Sequence, residues 1–497
     1  MRPNTCRAFP VAAGQSAKSW SKEGSYSSAR HRELKTLELT IGRQLTLMMR
    51  LLPLCLCLWL QAWVSPCRGL EFRYHTSVEV EQYLKAVNKN HSSFTHLHSI
   101  GKSVEGRDLW VLVLGKNPTE HKTGIPEFKY VANMHGNEVV GRVLLLHLIE
   151  LLTEGYLSDP TITRLLNSSR VHVLPSMNPD GFEHSVPDCL NTDGRFNKHD
   201  VDLNRNFPDA FVGKEEEERE PEVRAVMDWL SSETFVLSAN LHGGAVAASY
   251  PYDNSNGGSE LQKGFSISPD DDVFVHLAKT YSFSHALMYK GQSCHGFEPF
   301  KDGITNGYHW YQLQGGMQDY NYVWGQCMEI TLELSCCKFP PESELPKFWE
   351  DNKAALLAYM QQVHLGVKGQ VLDSDGTPVQ NALVEVEGRR NLCPFRTDRN
   401  GEYYRLLLPG NYTFKVTAPG QEPITETLSI PYGPEKYSAL THNFVLRGNS
   451  ANRESDVTQP TESCTSIVWN NTYNHSAALL ASQFLPLLAL MLCSLLQ

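Results

Sequence analysis

Positive charge is scarce in this sequence. The 44 Lys and Arg residues face 55 Asp and Glu, a formal net charge of -11 over 497 residues. That balance argues against a nucleic-acid partner and is compatible with basic substrates. The cysteines show no C-x-x-C spacing, which removes the usual thiolate zinc site. Neither long apolar run reads as an ordinary membrane span. The run from Leu51 has about 14 apolar residues, short of the ~20 a span needs. The tail ending at Gln497 has no Lys or Arg behind it, where a span carries a basic flank. Residues 1–47 lack apolar periodicity altogether.

What is present is ordinary globular material. Hydrophobic residues make up 41%, and the length calls for two or three domains. Met48, Met49 and Arg50, the short apolar run and a small residue, Gly69, before Leu70 read as a signal peptide over 48–69. Translation is expected to start at Met48 or Met49, leaving 1–47 as an untranslated or disordered extension. From Leu70 to residue 364, strand-like runs (Phe128–Met134, Arg170–Met177, Phe235–Leu241, Met328–Leu334) alternate with helix-like ones (Val139–Leu152, Glu222–Leu230, Asp272–Tyr281, Phe348–Val363). Such alternation predicts an α/β fold with a buried sheet. Asp270, Asp271 and Asp272 stand where an N-cap and first-turn acids belong. Residues 365–447 change to short alternating strands between Asn-Gly and Pro-Gly turns, the pattern of a small antiparallel β-sandwich. A polar stalk, 448–476, follows. The small residues Ser476, Ala477 and Ala478 precede the terminal apolar run, and 477–497 read as the tail of a glycolipid (GPI) anchor signal with Ser476 as the attachment residue.

Five Asn-x-Ser/Thr sequons, at Asn90, Asn167, Asn411, Asn470 and Asn474, join the signal and the cysteines in pointing to a secretory route. Outside the two ends lie seven cysteines: Cys189, Cys294, Cys327, Cys336, Cys337, Cys393 and Cys464. They allow up to three disulfides and one odd thiol. The adjacent Cys336 and Cys337 are expected to pair elsewhere rather than with each other.

The stretch that organises the chain is Tyr130 to Glu138. An apolar strand ends by delivering His135, Gly136 turns the chain, and a helix opens with Glu138. His242 likewise ends the apolar run from Phe235, ahead of two glycines. A catalytic zinc takes three protein ligands and keeps a fourth position open, and ligands in α/β sheets bind beyond the carboxyl ends of strands. His135, Glu138 and His242 are the candidate set.

With His135-x-x-Glu138, Asp202 to Phe207 (Asp-Leu-Asn-Arg-Asn-Phe), His242 and Thr331 to Leu334 in that order, the chain resembles the zinc metallocarboxypeptidases. It is most similar to their regulatory (N/E) branch, since a transthyretin-like β-sandwich follows the catalytic domain. Residues 124–136 and 315–322 resemble the membrane-anchored kind within that branch. The resemblance implies a mixed, mostly parallel sheet with helices on both faces, and one zinc per monomeric chain held by His135, Glu138 and His242. It implies Glu333 as the general base that moves a proton from the attacking water to the leaving amine. It makes Arg195 the oxyanion stabiliser, Asn204 and Arg205 the anchor for a C-terminal carboxylate, and Tyr311 the substrate-capping tyrosine. The pocket-floor position lies eleven residues past His242, at Asp253, with Gln318 beside it. A carboxylate there selects C-terminal Arg or Lys. The expected protein is a zinc exopeptidase for basic C-termini at the extracellular face of the plasma membrane, GPI-anchored and also releasable in soluble form. The competing readings are a catalytically silent surface protein that captures basic C-termini, and an active enzyme of apolar preference.

Overall fold

The computed structural model describes residues 69–448, except 213–217, 292, 295, 297 and 432–438. The expectations for 1–47, the signal run, the stalk and the anchor tail therefore fall outside the described residues, as do Ser476, Asn470 and Asn474. Among the described residues no helix is long and apolar enough to cross a membrane.

The first domain is built on an eight-stranded sheet. Its strands are β1 (Thr95–Lys102), β2 (Asp108–Leu114), β3 (Glu127–Ala132), β4 (Arg170–Leu174), β5 (Phe235–His242), β6 (Val246–Tyr250), β7 (Ile304–Asn306) and β8 (Met328–Leu334). The order is β1-β2-β4-β3-β5-β8-β6-β7. The central strands β4, β3, β5 and β8 run parallel, and β1 and β2 add antiparallel pairs at one side. Strands β3, β4 and β5 are buried at every position, which is why they read as unbroken apolar runs rather than alternating ones.

Alternate residues of β3 enter different cores. Phe128, Tyr130 and Ala132 pack with the helices Val140–Gly155, Asp271–Ser284 and Leu345–Gln361. Val131 packs on the other face with helix Pro221–Ser232 and with Met317 and Tyr320. The helices thus cover both faces, as the resemblance implied.

Local boundaries are set by side-chain chemistry. Helix Ser77–Asn90 opens with a capping box between Thr76 and Glu79. Asp159 caps the helix at Pro160, where the absent N–H costs nothing. Asp270 occupies the N-cap position before Asp271–Ser284, as expected, but its side chain does not cap. It is buried and accepts instead from Arg389 (2.9 Å), Arg405 (3.2 Å), Tyr322 (2.7 Å) and Asn391 (2.9 Å). Burial pushes this carboxyl up, but Arg405 and Arg389 outweigh it and hold the group below the ordinary carboxylate range.

The second domain packs Val367–Leu372 and Glu402–Arg405 over an antiparallel sheet of Leu383–Val386, Gly410–Thr417 and Ile424–Ile430. Strand 367–372 also pairs in parallel with Leu440–Thr441 and Phe444–Val445. Val371, Val384, Phe414, Val416 and Phe444 form its core.

Charged groups join the two domains. Arg389 bridges to Asp272, Thr234 donates to Asp398, and His121 stands between Glu127 and Glu402 at 2.6 Å from each. Burial alone would lower the His121 pKa, but the two carboxylates raise it to about 10. The unfolded chain releases that proton near 6.5, so this stabilisation is complete below pH 6.5 and is lost as pH rises toward 10. We expect His121→Gln to lower the thermal midpoint by about 4 °C at pH 6. The difference from the unmodified protein should shrink to nothing above about pH 10; an equal loss at both pH values would show that the ion pairs contribute nothing.

Cys189 pairs with Cys337 and Cys294 with Cys336, so the neighbouring cysteines do reach different partners. Cys393 is also disulfide-bonded, and among the described residues Cys327 is a free, buried thiol. Among the sequons, Asn90, Asn167 and Asn411 are exposed.

Candidate metal centre and cleft

The turn after β3 is shaped by Asn133, whose backbone is left-handed (φ 58). Its side-chain amide donates to the carbonyls of His135 (3.0 Å), Gly136 (2.9 Å) and Glu138 (3.3 Å), which curls the His-x-x-Glu segment. A Cβ on Gly136 would lie 2.1 Å from the Gly181 carbonyl carbon, so only glycine fits. Two expectations need correction here. The strand ends at Ala132, so His135 sits in this turn rather than on the strand. The helix begins at Val140, after Glu138, because the curled turn must finish before helical hydrogen bonding can start. His242, by contrast, is the last residue of β5, and Glu333 lies beside it on β8.

The three candidate ligands are buried, and one donor atom from each lies within 4.8 Å of the others. Glu138 Oε2 is 3.0 Å from His135 Nδ1 and 2.8 Å from His242 Nδ1. His135 Nε2 is 3.0 Å from Asp202 Oδ1. An imidazole that donates from Nε2 to Asp202 is left with a lone pair on Nδ1, facing the carboxylate and the second ring. That is the donor set of a zinc site built from two histidines and one glutamate, with the carboxylate behind the histidine that such sites use. The residues fit the ion. Burial pushes the Glu138 carboxyl up, but His135 and Lys338 outweigh it and hold the group well below its ordinary value.

A cavity of about 180 Å³ opens on this set. Arg195, Asn204, Asp253, Tyr311 and Glu333 line it together with the three ligands, so the structure brings eight predicted residues to one cleft. Arg205 and Gln318 stand beside it rather than on its wall. Arg205 donates to the Asn204 carbonyl at 2.9 Å, and its charge acts on Asp253 and Tyr311. Gln318 donates to Asp253 Oδ1 at 2.9 Å from behind. Arg195 reaches Asp202 (2.9 Å) and Glu138 (3.3 Å). Glu333 is 7% exposed, and its Oε2 has no hydrogen-bond partner. Burial, reinforced by the Glu138 charge, pushes its pKa well above the ordinary value. Tyr311 is 44% exposed at the rim, stacked edge-on against Trp310.

Asp253 is buried, and a Cβ on Gly307 would come within 1.8 Å of its Oδ1. Glycine at 307 is therefore what lets the carboxylate face the cleft. Burial pushes Asp253 up to about 7 despite the pull of Arg205.

Sequence reasoning missed Lys338, whose ammonium is 2.8 Å from Glu138 Oε1. A lysine in a loop carries no pattern that would reveal this. It also gave Asp202 no role, although Asp202 opens the quoted Asp-Leu-Asn-Arg-Asn-Phe motif. Asp202 orients His135, so Asp202→Asn should weaken zinc binding about 10–100-fold. Competition against a chromogenic chelator measures this; unchanged affinity would leave Asp202 without that function.

Comparison with known proteins places this geometry. Residues 80–355 match the zinc carboxypeptidase family, and 366–446 match the carboxypeptidase regulatory-like domain. The chain is 57% identical to carboxypeptidase M of Mus musculus, covering 78% of this chain and 88% of that one. It is 44% identical to the carboxypeptidase N catalytic chain of Homo sapiens, covering 76% and 86%. With carboxypeptidase D of Homo sapiens it shares 43% identity over 79% of this chain, but only 28% of that much longer protein.

Proposed function

The chain belongs to the zinc carboxypeptidase family, and from that premise we propose that it removes C-terminal Arg or Lys from peptides and proteins at the outer cell surface. The observation that carries the specificity is Asp253. It is a buried carboxylate on the cleft wall, and among the described residues no Lys or Arg forms a salt bridge with it. Gln318 Oε1 is also buried without a partner. Buried acceptors of this kind are costly unless a cation completes them, and a substrate ammonium or guanidinium would do so.

Zinc bound by His135, Glu138 and His242 would supply Lewis-acid polarisation and a water of lowered pKa. The chain's own groups supply the rest. Asn204 and Arg205 hold the free carboxylate of the substrate, which admits only chain ends. Arg195, fixed by Asp202, stabilises negative charge on the scissile carbonyl oxygen. Glu333 takes a proton on its unpartnered Oε2 and returns it to the leaving amine. Tyr311 closes over the bound residue and excludes water.

A monomer held by a GPI anchor attached at Ser476, and also releasable, is consistent with the disulfides, the exposed sequons and the signal-like run. The test is hydrolysis of two blocked dipeptides, one ending in Lys or Arg and one in Phe, by the protein expressed in a secretory host. We expect release of the basic residue only, abolished by a zinc chelator. Activity on intact cells should be freed by a phosphatidylinositol-specific phospholipase. Preference for Phe would discard Asp253 as the specificity residue, and no turnover by zinc-loaded protein would leave a binding protein for basic C-termini.

A further inference from the structure

The compact body that holds the catalytic centre begins at Leu70, and its first residues form a strap behind the metal site. Leu70 and Phe72 pack against the main core, and Phe72 stacks on His147 with ring centroids 3.9 Å apart. Tyr74 meets Phe339 edge-on at 4.6 Å and donates to the Pro340 carbonyl at 2.6 Å. Tyr74 and Phe339 share a small cluster with Phe182 and with Val139, the residue after Glu138. The His75 carbonyl accepts from the buried guanidinium of Arg142, which lies on the helix that follows Glu138. The strap therefore touches the chain just after the ligand Glu138 and just after Lys338.

Its first nitrogen has an unusual partner. Leu70 N is 2.5 Å from Glu150 Oε1. The Glu150 carboxylate is partly buried, with 23% of its side chain exposed, and among the described residues its only basic neighbour is His147, at 3.3 Å. Burial pushes His147 down to about 4, so that ring is neutral at physiological pH. Glu150 thus faces a backbone nitrogen, and among the described residues no Lys or Arg forms a salt bridge with it.

We propose that hydrolysis of the Gly69–Leu70 bond creates an α-ammonium on Leu70 that pairs with Glu150 and fastens the Leu70–His75 strap behind the metal site. The inference rests on reading 48–69 as a signal peptide. The reaction is ordinary peptide hydrolysis by an endopeptidase of the secretory membrane. The C–N bond breaks, water gives its hydroxyl to the Gly69 carbonyl carbon and a hydrogen to Leu70 N, and the amine takes a further proton from solvent. A neutral amide donor becomes an ammonium, and a hydrogen bond with one charged partner becomes an ion pair. Processing and completion of the fold are then one event, and Glu150 is a positioning residue.

The test uses the full chain secreted from animal cells. Sequencing of the product should give Leu70 as its first residue; any other start overturns the proposal. In that protein Glu150→Gln should lower the thermal midpoint by about 3 °C. A second form carries Ser-Gly inserted ahead of Leu70, so that the ammonium is displaced. It should start with a similar loss, and in it Glu150→Gln should cost less than about 1 °C. Equal costs in the two backgrounds would mean that the carboxylate serves only a backbone N–H, and the proposal fails. Dipeptide hydrolysis is measured separately. A protein that begins at Leu70 and melts as described, yet turns over no substrate, would count against the proposed activity and not against this docking.

Discussion

Replacement of Glu333 by Gln should leave one zinc per chain and lower kcat on the order of 10³-fold. Both halves follow from position. Glu333 is paired in register with His242 on the neighbouring parallel strand, yet it is not among the three groups whose donor atoms converge. Removing its charge therefore leaves the ligands in place. Gln keeps the volume and the packing between Leu332 and Leu334, both buried, so the fold is not at issue. What it cannot do is accept and return a proton. Metal content by atomic emission, alongside kcat at saturating basic dipeptide, separates the two effects. Retained turnover would remove Glu333 as the base, and lost zinc would recast it as a ligand.

The second large effect is on selectivity. Asp253→Gly should lower kcat/KM for Lys- and Arg-terminated dipeptides by about 10²–10³-fold, the scale of truncating one partner of a buried charge pair. Hydrolysis of the Phe substrate should hold steady or rise, so the preference inverts. The unmodified enzyme should also lose activity on basic substrates as pH falls. Burial pushes the Asp253 carboxyl up to about 7, and below that value it gains a proton and ceases to attract a cation. With one proton involved, kcat/KM for basic ends falls about tenfold per pH unit in the acid limb. Asp253→Gly should remove that part of the pH profile. A variant that keeps both its basic preference and its acid limb would place the specificity elsewhere in the cleft.

The fold was legible because the parallel strands are buried on both faces and so appear as unbroken apolar runs. Phe235–His242 and Met328–Leu334 stand out in the sequence almost to the residue. The ends of elements are harder to read. The helix after the first ligand starts two residues later than its pattern suggests, since the curl imposed by Asn133 is a side-chain effect with no apolar period. The cleft residues could be named from ordered motifs, but their supports could not. Lys338 and Gly307 act through proximity that exists only after residues some 200 and 54 positions from their partners, Glu138 and Asp253, have been brought together. Asp270 shows the same limit. Local pattern gave its place at a helix start, whereas its partners, Arg389 and Arg405, come from another domain.

Those arginines decide what a truncated gene could make. A chain ending before Val367 would keep Asp270 and Glu127 but lack Arg389, Arg405 and Glu402. The Asp270 carboxylate would have lost both of its cations, and His121 one of its two anions. Stripping partners from buried charges typically costs several kcal/mol, a large share of what holds any domain folded. The β-sandwich is thus not an ornament that recombination could shed and leave an enzyme behind. A splice form that omits the second module should be recovered as misfolded protein rather than as a smaller carboxypeptidase.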